Sequence, residues 1–138
     1  MKGFTMQPRI FIIDDDKELC EEITEILSGE GYSVNAAYDG LKGKKIIENG
    51  NYDLLILDIK LPGLNGFEVL KSIRGKNIKI KIIIISGRPK NTSLMDENKI
   101  QKKIYIDEET TLKLADAVIS KPFDIKIMLE KVRELLKL

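Results

Sequence analysis

The sequence predicts an α/β fold: a doubly wound parallel sheet of five strands with helices on both faces. Three observations predict it. Short β-branched runs alternate with longer amphipathic stretches along the chain. Several of those runs are continuously apolar, as expected of parallel strands covered on both faces. Parallel strands cannot be joined by hairpins, so the stretches between them read as short right-handed helical crossovers. One domain is expected for 138 residues. Residues 1–8 are read as a flexible N-terminal tail and 9–138 as the domain.

The first strand is expected at Arg9–Ile13 and the second at Ser33–Ala37. Between them Leu19, Ile23, Ile26 and Leu27 recur at helical spacing, with Asp16 placed to cap the helix and Gly29 and Gly31 to stop it. A weaker second helix covers residues 39–48, where Gly43 counts against helical propensity. The third strand is residues 54–57, and the Pro62-Gly63 turn leads to a third helix over 65–74. Fourth and fifth strands are expected at 80–85 and 117–119. A final, fifth helix is carried by the stripe Ile125, Met128, Leu129, Val132, Leu135 and Leu136.

Charge is balanced, 23 Lys plus Arg against 22 Asp plus Glu, which argues against direct nucleic-acid or anionic-membrane binding. The lone Cys20 cannot form an internal disulfide, suits a reducing compartment, and reads as a structural thiol on a helix face. No apolar run approaches the roughly 20 residues of a membrane span, and Met1 to Arg9 lacks a signal-peptide core. A soluble, cytoplasmic protein is expected. The chain has no histidine, which removes imidazole metal ligands and most hydrolase schemes.

Open sheets bind ligands at the carboxyl ends of their strands. There this sequence sets Asp14 and Asp15 after the first strand, Asp58 after the third, Ser86 and Gly87 after the fourth, and Lys121-Pro122 after the fifth. Two unit charges about 4 Å apart repel by about 4 kcal/mol at an effective dielectric near 20, so converging carboxylates need a counterion. A hard divalent cation with oxygen ligands, magnesium foremost, is the natural candidate. Lys121 offers a second positive partner. A carboxylate can also attack phosphorus, with Ser86 donating to phosphoryl oxygens and Gly87 leaving room for them. Asp16, the third acid in the row, reads as a helix cap rather than a ligand. Ser86 or Lys121 in isolation would read as a loop hydroxyl or a solvated side chain. Their places at strand exits change that reading.

In Ile12-Ile13-Asp14-Asp15-Asp16, Asp58 through Gly66, Ser86-Gly87 and Lys121-Pro122-Phe123, the chain resembles the receiver domain of two-component response regulators. The resemblance covers nearly the whole chain. It implies a flavodoxin-like strand order 2-1-3-4-5 and phosphorylation of Asp58 by a sensor histidine kinase or a phosphotransfer protein. It further implies Mg2+ organised by Asp14, Asp15, Asp58 and the Lys60 backbone carbonyl, with Ser86, Gly87 and Lys121 around the phosphoryl group and a cis peptide before Pro122. The domain would be a phosphorelay switch with only self-catalysed transfer and hydrolysis. It would present its fourth helix, fifth strand and fifth helix to a downstream partner, an output domain or a second copy.

Three departures from that family stand out. Leu61 replaces the commonest methionine, a volume-conserving exchange. Val118 stands where many members carry an aromatic switch residue, so a signal would have to travel by backbone movement. Between Ser86 and Lys121 the chain is on the order of a dozen residues longer than the resemblance implies, an insertion around 88–107. Ser93 to Asp96 and Asp107 read there as helix starts ahead of a displaced fourth helix. Altered partner choice and a plain surface loop are equally open readings of it.

The chief alternative is a phosphorylation-independent adaptor with the same fold, against which the intact acidic set counts. A flavin carrier would have its cofactor phosphate repelled by Asp14 and Asp15. A haloacid-dehalogenase-type phosphatase lacks its second aspartate after Asp58. Whether the domain stands alone or belongs to a longer protein stays open.

Overall fold

A computed structural model describes residues 7–87 and 110–137. The sheet has five parallel strands in the order β2-β1-β3-β4-β5: β1 Arg9–Ile13, β2 Ser33–Ala37, β3 Leu54–Asp58, β4 Lys81–Gly87 and β5 Ala117–Lys121. Helices α1 (Lys17–Gly29), α2 (Gly40–Asn49), α3 (Gly66–Gly75) and a C-terminal helix (Ile125–Leu135) connect or follow them. Residues 110–112 are helical as well. The insertion expected around 88–107, with the helix starts read at Ser93 and Asp107, lies outside the described residues.

Side chains on successive strand residues leave opposite faces of the sheet, and this divides the core in two. Ile10, Ile12, Leu54, Ile56, Ile83, Ile85 and Ile119 face α1 and the C-terminal helix, meeting Ile23, Leu27, Met128 and Val132. Phe11, Ile13, Leu55, Leu57, Ile82 and Ile84 face the other way, onto Ile47 of α2 and Val69, Leu70 and Ile73 of α3. The apolar runs are continuous because both faces are covered. Each fully buried Ile or Leu contributes about 1.5–3 kcal/mol of burial.

Every one of these helices starts on an acidic or amide cap. Asp16 accepts from the Leu19 N–H, Asp39 from Lys42, Asn65 from Glu68 and Asp124 from Lys126. The α1 terminus turns through Gly31 at φ 96°, a left-handed conformation glycine adopts without strain. Gly43 is tolerated in α2 for a packing reason: a Cβ there would run into the Ile13 side chain, so the glycine lets the helix lie close on β1.

The strands run further than the apolar pattern suggests. β3 includes Asp58, β4 includes Ser86 and Gly87, and β5 includes Lys121. Ladder pairing continues past the last apolar residue, through Asp58 with Ile85, Ser86 with Ser120 and Gly87 with Lys121. The polar residues are thus the final rungs of the sheet, held more rigidly than loop residues would be.

Candidate acidic site at the strand ends

Asp14 directly follows β1, while Asp58 and Lys121 close β3 and β5. By strand alternation all three share the face of Ile12, Ile56 and Ile119, the α1 side of the sheet. Asp14 and Asp58 are almost fully buried, at 0% and 3% exposure, and Asp15 is exposed. The three acids each offer an oxygen within 4.8 Å of the others.

The surrounding groups answer this charge in part. Lys121 Nζ lies 3.3 Å from Asp14 Oδ2 and 3.6 Å from Asp58 Oδ2, so one ammonium bridges both buried carboxylates. Asp14 Oδ1 accepts from the Asp16 N–H at 2.9 Å, and Asp58 Oδ1 accepts from the Lys60 N–H at 3.2 Å. Among the described residues Asp14 Oδ2 is buried and accepts no hydrogen bond, with Lys121 at ion-pair distance. Burial, followed by repulsion from Asp14, pushes the Asp58 carboxyl up to about 6, against the opposing pull of Lys121 and the Lys60 N–H. Burial would lower the Lys121 ammonium, but Asp14 and Asp58 outweigh it and hold the ammonium above its ordinary value.

An all-oxygen donor set with an orphaned buried carboxylate oxygen fits a hard divalent cation such as magnesium. The single bridging lysine leaves at least one negative charge uncompensated among three carboxylates. The sequence assigned Lys121 to a substituent on Asp58; the structure adds its pairing with Asp14.

Ser86 alternates with Ile85 and therefore belongs to the opposite strand face from Asp58, the face of Ile84 and Val118. Val118 is 46% exposed. The Lys121-Pro122 peptide is cis. Leu61 packs partly buried against the core on the α3 side. Cys20 is buried, with its Sγ donating to the Asp14 carbonyl at 3.4 Å. Burial, then the Asp14 charge, pushes its thiol up to about 12, so it is a neutral packing group. Sequence reasoning missed the backbone packing of Gly66, whose Cβ would overlap the Asp58 carbonyl, and of Gly40, whose Cβ would overlap Leu64. Glycine at a helix's first position was the only local signal.

A five-stranded doubly wound sheet with a buried carboxylate pair, a third acid and a bridging lysine at its strand ends defines the class: a receiver-type signalling domain. The chain belongs to the response regulator receiver domain family, which matches residues 10–133. It is 33% identical over 126 residues to the transcriptional regulatory protein DltR of Streptococcus agalactiae, covering 91% of this chain and 50% of that protein. Among solved structures it is similar to the response regulator TrrA of Thermotoga maritima in complex with Mg(2+)-BeF, at 32% identity and TM-score 0.74, covering 94% of this chain and 100% of that one. It is also similar to TrrA in its complex with the histidine kinase ThkA, at 34% identity and TM-score 0.73, covering 95% and 100%. The chain spans about half the length of the curated relatives it matches, 50–52% for DltR and the response regulator MprA of Mycobacterium tuberculosis. Among the described residues no helix is long and apolar enough to cross a membrane.

Proposed function

We propose that Asp58 accepts a phosphoryl group from the phosphohistidine of a sensor histidine kinase or phosphotransfer protein, with Mg2+ held by Asp14, Asp15, Asp58 and the Lys60 carbonyl. One observation carries this reading above the rest: among the described residues Asp14 Oδ2 is buried and accepts no hydrogen bond, with only the shared Lys121 ammonium 3.3 Å away, next to a second buried carboxylate. A pure adaptor gains nothing from that arrangement, which costs desolvation and repulsion together.

Each residue has a part in such a transfer. An Asp58 carboxylate oxygen attacks phosphorus, the P–N bond to the donor imidazole breaks, and the imidazole leaves with a proton from solvent. Bound magnesium would supply charge neutralisation for the phosphoryl oxygens. Lys121, already 3.6 Å from Asp58 Oδ2, would turn from carboxylate to phosphoryl oxygen. Ser86 and the Gly87 N–H would approach from the opposite strand face, which ties the phosphorylated state to the side of the sheet that holds Val118.

A groove of about 610 Å³ beside Lys121, lined by Leu19, Glu22, Phe123 and Ile125 among others, gives a kinase or phosphotransfer protein access to the site. The complex of TrrA with ThkA supports that kind of partner. The switched surface in this reading includes β5 and the C-terminal helix, where Val118 and Ile127 are 46% and 47% exposed. Its occupant would be an output domain, a separate partner or a second copy, in the cytoplasm. Turnover is limited to self-catalysed transfer and hydrolysis.

The test is incubation with a small phosphodonor and magnesium, then mass spectrometry for a hydroxylamine-labile adduct. Label at Asp58, lost in Asp58→Asn, is expected. An unlabelled native protein that still binds magnesium would favour the adaptor.

A further inference from the structure

Helix α2 contributes no group to the acidic pocket, yet it carries two buried glycines, Gly40 and Gly43, three residues apart and so on one face. Glycine is among the poorest helix formers, and alanine would serve a helix of only 10 residues better. The two glycines make contacts of different kinds. A Cβ on Gly43 would meet only side-chain atoms, Cδ1, Cγ1 and Cγ2 of Ile13. A Cβ on Gly40 would overlap the carbonyl oxygen of Leu64, which is backbone and cannot turn aside.

Leu64 belongs to the loop between Asp58 and α3. That loop is closed at its base by the Gly66 N–H donating to the Ile59 carbonyl at 2.9 Å. It is tied to the carboxylate by the Lys60 N–H, which donates to Asp58 Oδ1 at 3.2 Å. Its residues Ile59, Leu61 and Leu64 pack onto the core on the α3 side. With both ends fixed, the freedom left to the loop is its distance from α2, and bare backbone at Gly40 sets that distance.

We propose that Gly40 is a positioning residue for the acidic pocket: it seats the loop that begins at Asp58, and through it the Lys60 carbonyl and the Asp58 carboxylate. The inference rests on the metal-binding reading above and names a residue on another element on which that site depends. A side chain at position 40 would displace Leu64, and the loop would carry the displacement back to Lys60, because its hydrogen-bonded base is the part that cannot yield.

The test titrates magnesium into the full chain and its Gly40→Ala variant, following backbone amide NMR shifts, with urea unfolding measured alongside. The variant is expected to stay folded and bind magnesium about tenfold more weakly, the size of loss typical when the support of a metal ligand is disturbed. Leu41→Ala, at an exposed position in the same turn, should match wild type. Equal affinity in folded Gly40→Ala and wild type overturns the inference. Should the variant fail to fold, the wild-type titration decides. The Gly40 amide should shift together with Lys60 and Leu64, while Gly29, with nothing close to it, stays still; a stationary Gly40 overturns the inference. Wild type that binds no magnesium overturns the functional reading and this one together, whereas a normal wild type beside an unaffected variant overturns only this one.

Discussion

Asp58 is held in a conflict that only a partner resolves. Its carboxyl sits at about 6, against an ordinary 3.8, because burial and Asp14 both disfavour its charge. As pH rises through that interval, the unfolded chain has already released the proton that the folded chain still holds. In metal-free protein this group therefore makes stability fall with rising pH. Asparagine has no charge to desolvate. Asp58→Asn should then match wild type near pH 4, and its advantage in urea midpoint should grow to a plateau above pH 6. An advantage independent of pH would mean that Asp58 is not in conflict. Lys121 shows the opposite side of the same balance: burial would lower its ammonium, but Asp14 and Asp58 outweigh that and hold it above its ordinary value.

Among the elements, the end of α3 is fixed by one side chain. Arg74 donates from Nε to the Leu114 carbonyl at 2.9 Å, and from Nη1 to the carbonyls of Ile78 and Ile80 at 3.0 and 2.8 Å. Its Nη2 donates to Asp116 Oδ2 at 3.1 Å, an oxygen that also accepts from the Ile82 N–H. The helix end, the start of β4 and the turn before β5 thus share a single planar donor fork. Arg74→Ala should cost about 2 kcal/mol in urea unfolding, because charged hydrogen bonds to several carbonyls go together. Arg74→Lys should recover only part, since an ammonium cannot reproduce the fork. A loss under about 0.5 kcal/mol, the range of an ordinary surface change, would show these contacts to be idle. Helices α2 and α3 are joined similarly by Glu48, which accepts from Ser72 at 3.1 Å and pairs with Lys44 and Lys76.

On the scale of the molecule, metal binding and folding are linked. A cation that binds the assembled pocket and not the unfolded chain stabilises the fold by about 2.7 kcal/mol at a hundredfold excess over Kd. Magnesium should accordingly raise the melting temperature, and Asp15→Ala should abolish the rise. Asp15 is exposed, so its removal leaves the core intact and isolates the metal. An undiminished rise in that variant would place the bound ion elsewhere. Relatives such as DltR are about twice the length of this chain.

The sequence by itself determined the apolar cores of the strands, the cap of α1 and the residues standing at the strand exits. Those features depend on short-range patterns: β-branched runs for the strands, and an Asp three residues ahead of a free N–H for the cap of α1. The strand order came from the family resemblance, since the residues alone do not rank neighbours in a parallel sheet. Only the tertiary structure decided that Lys121 bridges Asp14 and Asp58, that Ser86 and Val118 share the other face, and that Gly40 touches the loop after Asp58. Each of these is set by the register and packing of segments far apart in the chain, and a side chain's neighbours across a sheet exist only once the strands have paired.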